Sequence, residues 1–141
     1  MKTLLSLCIL LTATLTFAGK PAAVTDINAA LEQAKSENKM LFLQYGREAC
    51  GNCQALKAMI KSSKVSLPES KFVYADVNCD DPATQKVFRS KFKISGNTLP
   101  FVIIAAPDGT QLAARSGYGS DKEFNQLIRS AKKAPTTASK S

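Results

Sequence analysis

The sequence holds no histidine and no tryptophan. Without histidine there is no His-dependent catalytic triad, no His–Cys dyad and no His-ligated zinc. The commonest general base near neutral pH is also missing, so proton transfer falls to carboxylates, Lys, Tyr or Cys. Acidic residues are scarce as well: eleven Asp and Glu stand against nineteen Lys and Arg, a net charge of +8. No internal repeat and no break in composition marks a second domain. What is present, 141 residues with 45% hydrophobic and 21% charged side chains, suits one globular unit.

Met1 and Lys2 give a short basic start, and Thr3–Phe17 is uncharged and apolar, closing on Thr16-Phe17-Ala18. That pattern predicts a secretory signal peptide over residues 1–18, cut after Ala18, and hence a periplasmic or secreted protein. An uncleaved anchor is the alternative, but about fifteen apolar residues fall short of the roughly 20 that a spanning helix needs. Cys8 follows Leu7, where a lipid-anchoring site wants a small residue, so Cys8 leaves with the leader. The exported chain keeps Cys50, Cys53 and Cys79, an odd number in a compartment where disulfides persist.

Apolar spacing predicts a first helix over 24–38, with Thr25 or Asp26 as N-cap and Ile27, Ala30, Leu31 and Ala34 inward. Met40–Tyr45 is a short apolar run stopped by Gly46, the pattern of a strand covered on both faces. A second helix starts at or beside Cys50 and runs to Ser62; a strand follows over 71–77, then a helix from Pro82 to about Phe92. Phe101–Ala105 is the next strand, Pro107-Asp108-Gly109 turns the chain into a hairpin partner over 110–115, and a last helix runs from Ser120 to Lys132. Strands alternating with helices predict an α/β fold, with a parallel core and an antiparallel edge added by the hairpin. Residues 19–133 form the domain, and the Thr-, Ser- and Lys-rich residues 134–141 a disordered tail.

Chemistry concentrates at Cys50-Gly51-Asn52-Cys53, where a buried strand gives way to a helix. A sulfur at a helix N-terminus meets unpaired N–H groups and the positive end of the dipole, which favour thiolate over thiol. Cys50 is then the nucleophile toward a substrate disulfide, and Cys53, one turn on, resolves the mixed disulfide. A purely structural disulfide competes, although so small a ring constrains the unfolded chain little. Zinc also competes, but three Cys without His leave a tetrahedral site short of ligands.

The sequence resembles the thioredoxin superfamily over about Thr25 to Lys132. Three features carry the resemblance: the strand–Cys-x-x-Cys–helix unit at Met40–Ile60, Thr98-Leu99-Pro100 ahead of an apolar strand, and Pro107-Asp108-Gly109 followed by Gly117 and a terminal helix. The helix over 29–39 also looks like that of exported thioredoxin-like domains, such as the terminal domain of the periplasmic disulfide reductase. The resemblance implies a thioredoxin-like fold, with a central mixed sheet of about four strands flanked by helices. It also implies a cis Leu99–Pro100 bond lying against the cysteine pair, with Leu99, Pro100, Gly51 and Asn52 meeting substrate. An ordinary strand-initiating proline is the alternative at Pro100.

The implied activity is thiol–disulfide exchange with protein substrates, reductive, oxidative or isomerising, without cofactor or metal. The chain would be a monomer, renewed by a membrane electron donor or acceptor. A second reading is a binding module for Cys-containing or unfolded chains with little turnover. Three departures bear on the choice. Gln44 stands where thioredoxins carry a buried Asp, and an amide is no base, so the Cys53 proton passes to water, Glu48 or the substrate. Ala49 replaces the usual Trp, and Gly51-Asn52 the usual Gly-Pro.

Three signals remain. Cys79 is read as a small half-buried residue at a strand end, with a redox relay or dimer link as the rival. Lys57, Lys61 and Lys64 form one basic cluster, and Lys86, Arg89, Lys91 and Lys93 another. Both are read as solvated surface with some attraction for acidic substrates or anionic headgroups, and not for nucleic acid, which wants interleaved aromatics. Tyr118, between Gly117 and Gly119, is expected to be an edge aromatic packed locally, with a substrate contact as the alternative.

Overall fold

A computed structural model describes residues 19–134. The predicted leader and all of the predicted tail beyond Ala134 lie outside the described residues. In chain order the elements are β1 (Ala23–Val24), α1 (Ile27–Ser36), β2 (Met40–Gly46), α2 (Gly51–Lys61), β3 (Phe72–Asn78), α3 (Pro82–Lys91), β4 (Phe101–Ala105), β5 (Gln111–Ser116) and α4 (Asp121–Lys133). The five strands form one mixed sheet in the order β1-β3-β2-β4-β5.

Strand alternation builds two cores from one sheet. Leu41, Leu43 and Tyr45 of β2 and Val73, Ala75 and Val77 of β3 face Ile27, Ala30 and Ala34 of α1 and Phe88 of α3. Their neighbours Phe42, Phe72 and Tyr74 face Leu56 and Ile60 of α2 and Phe124 and Ile128 of α4. Such a strand cannot show one polar face, which is why β2 reads as a continuous apolar run. Each fully buried large side chain, such as Phe42, Phe72 or Phe124, contributes about 1.5–3 kcal/mol to folding.

Two expectations are corrected. The sheet has five strands because Ala23 and Val24, the second of them expected to open the first helix, pair in parallel with Tyr74 and Ala75. The helix starts instead at Ile27, capped by the Asp26 carboxylate, which accepts from the Ala29 N–H at 2.7 Å. The parallel core is confined to β1, β3 and β2, for β4 runs antiparallel to β2 with Phe101 opposite Tyr45.

The segment between α3 and β4 causes that reversal. α3 carries the chain away from the end of β3, as a parallel crossover would, but residues 92–100 then return it to the rim it left. Side chains of β5 guide the return. Gln111 holds the backbone of Lys93 at both its N–H and its carbonyl, at 2.9 and 2.7 Å. Ser116 does the same for Thr98, at 3.3 and 2.9 Å.

α4 closes the second core, and its start is fixed by charge. The Ser120 hydroxyl accepts from the Glu123 N–H, while the Glu123 carboxylate accepts from the Ser120 N–H at 2.8 Å and pairs with Arg115 at 2.9 Å. The Ser120 hydrogen bonds, with Arg115 adding, hold the Glu123 carboxyl at about 2. A depressed carboxyl pKa favours the folded state above the unfolded value and loses that contribution as pH falls through the folded one. Wild-type protein is therefore expected to lose stability between about pH 4.5 and pH 2, and Glu123→Gln to lose less over that window, by urea denaturation at stepped pH. Superimposable pH profiles would refute the assignment.

Candidate active site

β2 delivers the chain to the rim at Gly46, and three exposed residues, Arg47, Glu48 and Ala49, lead into Cys50. Cys50 is the N-cap of α2: its extended backbone precedes the helix, and its Sγ accepts the Cys53 N–H at 3.2 Å. A sulfur takes the place a Ser or Asp oxygen usually fills, at the end of a helix where negative charge is favoured. Cys50 and Cys53 are joined in a disulfide, with their Cα atoms 5.2 Å apart. Cys50 is half-buried and Cys53 fully buried, an asymmetry suited to one attacking and one resolving sulfur.

Gly46 does more than end a strand. A Cβ placed there would lie 2.6 Å from Cys53 Sγ and 3.8 Å from Pro100 Cβ, so the missing side chain is the space that α2 and the Pro100 loop share. The sequence reading overlooked this; its one signal was a glycine ending an otherwise bulky buried run.

The Leu99–Pro100 peptide bond is cis. Pro100 is buried, its carbonyl accepting from Gly117 N–H at 3.0 Å, while Leu99 is half-buried. The Asn52 side-chain amide reaches the Leu99 carbonyl in a long 3.5 Å contact. Cys50, Cys53, Asn52, Leu99 and Pro100 thus meet at one rim, whereas Gly51 is exposed and a Cβ there would touch nothing.

Behind Cys53 the polar groups are arranged for structure. Gln44 is fully buried yet satisfied at both ends, donating to the Cys53 carbonyl at 3.0 Å and accepting from the Tyr74 hydroxyl at 3.2 Å. Burial pushes the Tyr74 hydroxyl well above its ordinary value, and Asp76 adds to the shift. Asp76, opposite Gln44 in the β2–β3 register, pairs with Lys57 of α2 at 2.6 Å. Gly46, Glu48, Lys57 and Asp76 line one depression of about 290 Å3. Asp76 escaped the sequence reading, although a lone acid on the Phe72–Tyr74 face of a strand, opposite a helix bearing Lys57, was a usable signal.

Cys79 is a free thiol and is buried, not half-buried. Its carbonyl accepts from Gln85 at 2.8 Å and from the Tyr45 hydroxyl at 3.4 Å, and its N–H donates to Gly46 at 2.7 Å. Tyr118 overturns its expectation: it is 56% exposed. The two flanking glycines are buried, Gly117 against Thr98 with φ +83 and Gly119 against Arg115, so the backbone sinks and the ring between them is turned outward. Among the described residues no three Cys, Asp or Glu side chains gather as metal ligands.

Residues 27–132 match the family model described as a thioredoxin-like domain. Similar folds include a mutant thioredoxin from Halobacterium salinarum NRC-1, at 20% identity and TM-score 0.59, covering 79% of this chain and 90% of that one. A chain of the complex between ferredoxin:thioredoxin reductase and thioredoxin f2 aligns at 13% identity and TM-score 0.62, covering 82% and 99%. Thioredoxin f from spinach chloroplast aligns at 14% and 0.58, covering 80% and 95%. No curated protein matches in sequence.

Two substitutions test the packing of the site. Gly46→Ala is expected to destabilise the oxidised protein by about 1–3 kcal/mol in urea, because Cys53 must move to admit a methyl group. Gln44→Leu is expected to cost about 1–3 kcal/mol by leaving the buried Tyr74 hydroxyl unpaired. Wild-type midpoints in either variant would contradict these roles.

Proposed function

The chain belongs to the thioredoxin-like domain family, and on that footing we propose that it is an exported thiol–disulfide oxidoreductase acting on protein substrates. The observation that carries the reading is the Cys50–Cys53 pair at the start of α2, with one sulfur half-buried as the helix cap and the other buried behind it. A fold of this family with such a pair suits disulfide exchange in either direction.

In the reductive direction the Cys50 thiolate attacks one sulfur of a substrate disulfide, forming a Cys50–substrate bond and releasing the other substrate sulfur as a thiolate that takes up a proton. Cys53, having lost its proton, then attacks Cys50 Sγ and releases the second substrate thiol. The substrate has gained two electrons and two protons, and the chain is left as the disulfide. A dithiol reductant or a membrane electron carrier restores it. The half-buried Leu99 lies beside Asn52, where an extended substrate segment would run. The Cys53 proton would pass to water, Glu48 or the substrate, since the Gln44 amide is no base.

Turbidimetric reduction of insulin by dithiothreitol is expected to accelerate with wild-type protein, to return to background with Cys50→Ser, and to leave substrates covalently trapped on Cys53→Ala. Binding of insulin without acceleration would favour the binding-module reading. Equilibration in glutathione buffers then sets the direction: a potential near about −270 mV marks a reductant, and one near about −120 mV a donor of disulfides.

A further inference from the structure

A cavity of about 610 Å3 opens beside the cysteines, on the α1/α3 face of the sheet. Its floor is aromatic: Tyr45 stacks on Phe88 with ring centres 4.0 Å apart and lies parallel to Phe101 at 6.1 Å. Half-buried Ile94 and Leu99 form a wall. The mouth is cationic. Arg47 is neutralised by Asp80 at 3.0 Å, but Arg89 and Lys93 are exposed and have no carboxylate partner among the described residues. A volume in this range with an apolar floor and a few charged groups is the ordinary anatomy of a ligand site.

We propose that this cavity is the docking site for the part of a protein substrate next to its disulfide, and that it selects segments bearing an aromatic or large aliphatic side chain with a carboxylate close by. The proposal rests on the oxidoreductase reading above and names the substrate class of that same site. Leu99 belongs to both places: it lines the cavity, and its carbonyl meets Asn52 of the cysteine motif. An extended chain laid along Leu99 sends successive side chains to opposite faces. When the substrate cysteine is directed at Cys50, on the α2 side, its immediate neighbour is directed to the α1/α3 side, where the cavity opens. Apolar side chains on the floor supply the affinity. Arg89 and Lys93 supply the preference for acid and the faster encounter, because two unpaired cations in a protein of net charge +8 repel basic segments.

The test uses two short peptides, each closed by one disulfide, in which a cysteine is flanked either by phenylalanine and aspartate or by serine and lysine. Reduction by dithiothreitol-renewed wild-type protein is expected to favour the acidic aromatic peptide by about tenfold in kcat/KM at low salt. The preference is expected to shrink several-fold between about 20 mM and 500 mM salt, as the Debye length falls. Arg89→Glu combined with Lys93→Glu should abolish or invert it. Equal kcat/KM values for the two peptides, or a preference indifferent to salt, would overturn the proposal even if the double variant failed to fold. Hydroxyethyl disulfide, small and neutral, separates the two readings: if the wild-type protein reduces neither it nor the peptides, the oxidoreductase reading fails and this one falls with it.

Discussion

Everything at the rim is packed onto one residue without a side chain. Gly46 ends β2, touches the Cys53 sulfur, faces Pro100, and accepts the backbone N–H of Cys79 through its carbonyl. A helix, a loop and the end of a neighbouring strand can approach the same point only because nothing projects there. The depth of Cys53, the position of the Leu99–Pro100 segment and the course of the chain after β3 all follow from that shared space. The site is therefore a packing solution first and a chemical one second; its two sulfurs sit where the close approach of three elements leaves them.

The sequence made the cysteine motif, the α1–β2–α2–β3–α3 succession and the hairpin legible, because each has a local signature: period 3.6, an unbroken apolar run, an N-cap, a Pro-Asp-Gly turn. It did not show the direction of β4. That direction is set by Gln111 and Ser116, which grip Lys93 and Thr98 from eighteen residues away, and no local pattern encodes such a grip. β1 was missed for a similar reason, since two residues acquire strand geometry only from the edge of β3. The outward turn of Tyr118 was not legible either, because it follows from the burial of Gly117 and Gly119, which the sequence does not display. The cavity, too, was out of reach: Tyr45, Phe88 and Phe101 come from three elements, and only the folded sheet stacks them.

Around the resolving sulfur, charge and burial are kept apart. The fully buried position next to Cys53 is held by a neutral amide with both ends satisfied, and the charged pair, Lys57 and Asp76, sits further out where water can reach it. A buried carboxylate would carry a desolvation cost of several kcal/mol unless paired. Gln44 avoids that cost, being neutral with both ends of its amide engaged.

Cys50 is both a redox atom and the cap of α2, so electron transfer and helix stability share one free energy. Whatever steadies the first turn of α2 steadies the thiolate, and whatever frays it raises the proton affinity of the sulfur. The poise of the couple is thereby open to adjustment from a distance. Asn52 and Gln54 are exposed positions of that turn, where a charged substitution would act on the sulfur through the helix field. A charge introduced there would shift the balance between disulfide and dithiol with the reactive pair held constant.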